Sequence, residues 1–125
     1  MPILYVEDDA LTRQTIAGRL RRRGYTVVEA PSGEEALAYA TDRPSMSVAL
    51  LDVDLPGING LDTYRCLRQL APGLPAVVCS ACLSVSIRQG FLELGVSSQC
   101  LLIKPCPFSQ LLSALQDARG ETGAA

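Results

Sequence analysis

A chain of 125 residues with 11 basic and 13 acidic side chains, net charge -2, is long enough to bury one core and too weakly basic to offer a nucleic-acid surface, because phosphate backbones demand clustered cations. Its apolar runs fall far short of the roughly 20 residues of a membrane span, and the start, MPILYVEDD, has no basic leader ahead of its apolar run, which argues against a signal peptide. A soluble, cytoplasmic domain without membrane or direct nucleic-acid partners is expected.

Pro2 to Val6 is a short apolar run that meets Glu7, Asp8 and Asp9 at once. Asp9 suits the N-cap of a helix, where its side chain accepts a free amide of the first turn, and Ile16, Ala17 and Leu20 recur behind it at helical spacing. Arg21, Arg22 and Arg23 before Gly24 make a helix exit, cations facing the negative end of the macrodipole and glycine free to take positive φ. Tyr25 to Ala30 reads as a second strand. Ser32 with Glu35 three residues on is a capping box, Ala36, Leu37 and Ala40 form the apolar side of the helix it opens, and Pro44 ends that helix.

The organising stretch is VALLDVDLPGINGL, Val48 to Leu61. Four apolar residues run directly into Asp52, then Asp54, then a Pro-Gly turn, the pattern of a strand covered on both faces that ends in acid. Asn59 with Asp62 caps a helix whose inward face is Leu61, Tyr64, Leu67 and Leu70, and Pro72, Gly73 and Pro75 break the chain after it. Ala76 to Ser80 is a fourth strand, Val85 to Leu94 a helix closed by Gly95, and Cys100 to Ile103 a fifth strand ending in Lys104, the one lysine of the sequence. Pro107 suits the first turn of a last helix that turns Phe108, Leu111, Leu112 and Leu115 inward. Residues 1–119 form one domain and 120–125 a frayed tail on this reading.

Strand and helix alternate five times, which predicts an α/β fold with a five-stranded parallel sheet, right-handed crossovers and helices on both faces. The carboxyl ends of the strands then share one side, and four of the five bring a polar group there: Glu7 with Asp8, Asp52, Ser80 and Lys104. Carboxylates converging from two strands raise each other's pKa unless a cation neutralises them. Mg2+ fits, since it prefers oxygen ligands and takes one or two protein carboxylates alongside waters and phosphate oxygens. Lys104 supplies a second cation and Ser80 a hydroxyl, completing the parts of an aspartyl-phosphate site. The five cysteines, Cys66, Cys79, Cys82, Cys100 and Cys106, include one C-x-x-C at Cys79 and Cys82. With no histidine and no second such pair, they read as small core hydrophobes rather than zinc or redox ligands.

The acidic cluster after the first strand, Leu50-Leu51-Asp52 followed by Leu55-Pro56-Gly57 and Asn59-Gly60, the pair Ser80-Ala81, and Lys104-Pro105 together resemble the receiver domain of two-component response regulators over nearly the whole chain. The resemblance implies a doubly wound, flavodoxin-like fold with strand order 2-1-3-4-5. It implies that Asp52 is the phosphoacceptor, that Glu7 and Asp8 are the acidic pair, and that Asp8 and Asp52 ligate Mg2+ directly with the backbone carbonyl of Asp54. Ser80 and Lys104 would contact the phosphoryl group, and the Lys104-Pro105 bond would be cis. The implied donor is a sensor histidine kinase or a histidine phosphotransfer protein, and the implied output a change in the surface of the fourth helix, fifth strand and fifth helix, read by an output domain or downstream protein. Such a domain is no enzyme beyond its own phosphorylation and dephosphorylation. Three departures stand out: about two extra residues between Gly95 and Lys104, Cys106 and Pro107 interrupting the usual Lys-Pro-Phe, and Leu101 where an aromatic residue is customary. They point to different packing in the readout region. Two rivals are a receiver-like interaction module that is not phosphorylated, and an aspartyl phosphatase suggested by Asp52-Val53-Asp54, although that motif belongs on the first strand of a longer chain.

Overall fold

Two strands buried at every residue mark the centre of the molecule. In the computed structural model, which describes residues 1–43 and 45–120, all four residues of β1 (Ile3–Val6) and all four of β3 (Val48–Leu51) are buried. Successive strand residues point to opposite faces, so both faces of the sheet are covered. β2 (Val27–Ala30), β4 (Ala76–Ser80) and β5 (Leu101–Ile103) complete a five-stranded, all-parallel sheet in the order β2-β1-β3-β4-β5. The register sets Val6 opposite Leu51 and Ser80 opposite Ile103, which brings the strands' carboxyl ends into one row.

The helices are α1 (Ala10–Arg22), α2 (Gly33–Asp42), α3 (Gly60–Leu70), α4 (Val85–Glu93) and α5 (Phe108–Ala118). α1 and α5 lie side by side, with the Arg19 guanidinium 4.1 Å from the centre of the Phe108 ring, while α2, α3 and α4 make a contiguous row. Four helices are capped by the residue before them: Asp9, Ser32, Asn59 and Ser84 each accept an amide of the first turn. The first three caps are the expected ones, and Ser84 sets the start of α4. Gly24 follows α1 at φ 91, as the helix exit requires. Among the described residues no helix is long and apolar enough to cross a membrane.

Several boundaries and one core position differ from the sequence reading. β1 starts at Ile3 and β2 at Val27, because Pro2 and Thr26 contribute only carbonyls, to Ser47 and Ile3. β5 starts at Leu101, because Ser98–Cys100 forms one turn of 3-10 helix, opened by the Ser97 hydroxyl accepting from Gln99 N; that turn lies in the lengthened segment before Lys104. Pro107 is the residue before α5 and not within its first turn. Leu70 is 42% exposed: steps of three residues fall about 60° short of a full turn, so the Leu61-Tyr64-Leu67 series drifts off the buried face by its fourth member. α2 ends at Asp42, and Pro44 and the tail 121–125 lie outside the described residues.

α3 is drawn in close by Gly60. A Cβ there would overlap the Asp52 carbonyl oxygen and stand 2.9 Å from Val53 Cα, while Gly60 N donates to Val53 O at 2.9 Å. The far end of α3 is fastened by Tyr64, whose hydroxyl donates to Leu74 O at 2.6 Å, and by Arg68, which donates to Pro72 O and Leu94 O. Gly60→Ala is expected to lower stability by about 1–3 kcal/mol, since backbone must move to admit the methyl group. Urea unfolding reads this as a lower midpoint; an unchanged midpoint would mean that the close approach is dispensable.

Candidate functional site

The row of strand ends collects acid. After β1, Asp9 turns back to cap α1, accepting from Thr12 N at 2.9 Å, which leaves Glu7 and Asp8 at the sheet edge. Their fates differ: Asp8 is exposed, whereas the Glu7 side chain is only 3% exposed. Glu7 Oε2 accepts from Asp9 N at 3.1 Å and Oε1 from Lys104 Nζ at 2.6 Å. After β3, the buried Asp52 accepts from Asp54 N through Oδ1 at 3.2 Å and from Lys104 Nζ through Oδ2 at 2.8 Å. Asp54 itself is exposed.

Lys104 therefore bridges the acids of β1 and β3 from the end of β5. Its backbone N–H donates to Ser80 O at 2.8 Å, extending the β4–β5 ladder by one residue, and the Lys104-Pro105 bond that follows is cis. The lysine pKa is raised, its own desolvation outweighed by hydrogen bonds to Asp52 and Glu7. Glu7 is also raised, because burial penalises its charged form more than Lys104 and the Asp9 amide favour it. Both directions follow from one cation shared between two buried carboxylates. Ser80, at the strand-end row where it was expected, is completely buried, and among the described residues its hydroxyl oxygen finds no hydrogen-bond partner. Such an orphan is costly unless a visiting group satisfies it.

Carboxylate oxygens of Glu7, Asp8 and Asp52 lie within 4.8 Å of one another. Three carboxylates against the one ammonium leave an excess of two negative charges, and the donors are all hard oxygens. That set fits a small dication such as Mg2+.

Two features were missed in the sequence. Arg13 braces the acidic loop, donating from Nη1 to Glu7 O at 2.8 Å and pairing with Glu29 at 3.4 Å. Its place one turn into a helix behind the acids is the only hint the sequence offers. A cavity of about 250 Å³ opens beside Glu7, Asp52 and Lys104 on the α1–α5 side of the sheet, lined by Tyr5, Cys79 and Cys106 among others. Burial and then the nearby Glu7 push the Tyr5 phenol up, so the hydroxyl at this wall stays protonated.

Known proteins give the arrangement a context. The model of the response regulator receiver domain matches residues 3–116. The response regulator MprA of Mycobacterium ulcerans is 39% identical over 115 residues, 91% of this chain and 48% of that protein, so the chain spans about half the length of the curated relatives it matches. The receiver domain protein (CheY-like) of Methanospirillum hungatei superposes with a TM-score of 0.88 at 24% identity, covering 95% of this chain and 93% of that one, a likeness of fold. A response regulator of Burkholderia pseudomallei, described with a phosphorylated aspartic acid, a calcium ion and citrate, superposes at 0.82 with 27% identity over 95% of this chain and 68% of that one.

Lys104→Met should destabilise the fold by about 3 kcal/mol near neutral pH, since it strands two buried carboxylates. The loss should depend on pH with a definite sign. Glu7 is raised above its ordinary 4.5, so its contribution falls as pH climbs from that value through the higher folded one, and without the lysine it climbs further. Chemical denaturation at about pH 5 and about pH 8 should therefore show the larger wild-type advantage at the higher pH. Equal differences would mean that Lys104 does not hold Glu7 ionised.

Proposed function

Because the chain belongs to the response regulator receiver domain family of two-component systems, we propose that Asp52 is its phosphoacceptor and that Glu7, Asp8, Ser80 and Lys104 serve that chemistry. The observation that carries this reading is the Lys104 ammonium held between Asp52 and Glu7 beside a buried hydroxyl that has no partner among the described residues. In the transfer step an Asp52 carboxylate oxygen attacks the donor's phosphorus; the new P–O bond forms as the donor's P–N bond breaks, and the departing imidazole keeps the electron pair. Lys104 turns from the carboxylate to a phosphoryl oxygen, and Glu7 keeps the ammonium in reach. The Ser80 hydroxyl rotates to donate to another of those oxygens, which satisfies the atom that is orphaned at rest.

Asp8 and Asp52, with the Asp54 backbone carbonyl, are the groups that would hold Mg2+, and Glu7 completes the acidic wall. When bound, the ion offsets the charge of the carboxylates and of the incoming phosphoryl group. The divalent cation and phosphorylated aspartate named for the Burkholderia pseudomallei relative support both assignments. The 125 residues contain no histidine, so the phosphoryl group comes from outside them, from a sensor histidine kinase or a histidine phosphotransfer protein. The readout is the surface of α4, β5 and α5, passed to an output domain or a downstream protein in the cytoplasm. The chain itself is a signalling module and no enzyme for a separate substrate.

Incubation with a small phosphodonor such as phosphoramidate and Mg2+ should add a single phosphoryl group by intact mass. Asp52→Asn should add none; a modification that survives this change would remove Asp52 from the role. Mg2+ alone should raise the thermal midpoint of the wild-type protein, as any ligand selective for the folded state does, and this rise should be largely lost in Asp8→Asn. An equal rise in both proteins would place the ion elsewhere.

A further inference from the structure

Cys79, near the end of β4, and Cys106, two residues beyond Lys104, are 27 residues apart in sequence, yet their sulfurs are 3.3 Å apart. Both are half-buried and both line the cavity beside the acidic cluster. The thiol nearest in sequence, Cys82, is exposed past the strand end, and Cys100 is buried with its sulfur directed to Ala114 O at 3.8 Å. The fold thus selects a sulfur pair different from the C-x-x-C of the sequence. We infer that Cys79 and Cys106 are a reversible dithiol–disulfide pair whose oxidation fastens the segment carrying Lys104 to the strand carrying Ser80.

Closing a gap of 3.3 Å to a bond of about 2 Å calls for rotation of two side chains rather than opening of the core. The oxidant is hydrogen peroxide. The Cys106 thiolate attacks one peroxide oxygen, the O–O bond breaks, and the departing hydroxide takes a proton to leave as water, with a sulfenic acid on Cys106. Cys79 sulfur then attacks Cys106 sulfur; the S–S bond forms, the S–O bond breaks, and hydroxide leaves as a second water with the Cys79 proton. The two thiols lose two electrons in all and the peroxide gains them. Burial and the adjacent Cys106 push the Cys79 thiol up to about 12, so the first attack falls to Cys106 and Cys79 gives up its proton only as its sulfur attacks.

The fastening bears on the neighbouring chemistry because, given the proposed phosphoacceptor role of Asp52, Lys104 must turn toward the phosphoryl group. Alkylated under denaturing conditions, the wild-type chain should carry five alkyl groups when reduced and, after hydrogen peroxide, three alkyl groups and two hydrogens fewer. Tandem mass spectrometry of its proteolytic peptides should place the bond between Cys79 and Cys106, and dithiothreitol should reverse it. Bonds through Cys82 or Cys100, bonds between molecules, or sulfinic acid without a bond would overturn the pairing. Oxidised protein should then take up phosphoryl groups from phosphoramidate several-fold more slowly than reduced protein, and peroxide-treated Cys106→Ser should show no such slowing. Equal rates would overturn the fastening. Absence of uptake in both oxidised and reduced protein would instead fail the phosphoacceptor reading and leave the mapped bond standing.

Discussion

The site depends on one ammonium group that joins strand ends three places apart. Lys104 follows β5, Asp52 follows β3 and Glu7 follows β1, with β4 lying between the first two. Three strand spacings amount to roughly 14 Å, more than one lysine side chain spans, so the Lys104–Glu7 contact draws on the reach of both side chains. The loops that carry them are held in place: Arg13 grips the Glu7 carbonyl, and the Lys104 amide donates to Ser80 O. The all-parallel sheet is the precondition, because only then do all these ends face one way.

Stability alone does not account for such a group. A buried ion cluster is weak as a stabiliser, since desolvation offsets most of the attraction and apolar side chains of similar volume do as well or better. Here two acids are buried against one cation, a third acid waits in solvent, and a serine hydroxyl is buried without a partner among the described residues. The arrangement is short of positive charge and short of a hydrogen-bond acceptor. A dication and a phosphoryl group would meet both deficits, which is why the proposed chemistry explains the resting geometry better than packing does.

The backbone was largely legible because its signals are local. Runs such as Val48 to Leu51 end abruptly in turn residues, and Asp9, Ser32 and Asn59 stand one residue before their helices. Ser84 carried the same signal, masked by the poor helix propensity of the residues around it. The convergence of Glu7, Asp8, Asp52 and Lys104 followed from strand direction alone. What did not follow was how the acids divide, with Glu7 buried on the lysine and Asp8 left in water, because that depends on the path of each loop. Ser80's depth and the Cys79–Cys106 contact were equally hidden, since both arise from the β4–β5 register and the path of the chain after it.

That path gives the sulfur contact its weight. Between Lys104 and α5 the chain reads Pro105-Cys106-Pro107, and two of these three residues have no N–H to donate. A segment so poor in donors cannot be secured by ladder hydrogen bonds. It is anchored behind by the Lys104 amide on Ser80 O, ahead by the Pro107 carbonyl, which accepts from Gln110 N and Leu111 N, and between them by Cys106 sulfur against Cys79. The charge tether through the lysine side chain and the sulfur tether through Cys106 thus act on the same short, stiff stretch. Coupling between two such tethers is reciprocal in its equilibria. A bond that biases where the ammonium rests must itself be favoured or disfavoured by whatever moves the ammonium, so the acidic site and the thiol pair are two handles on one loop.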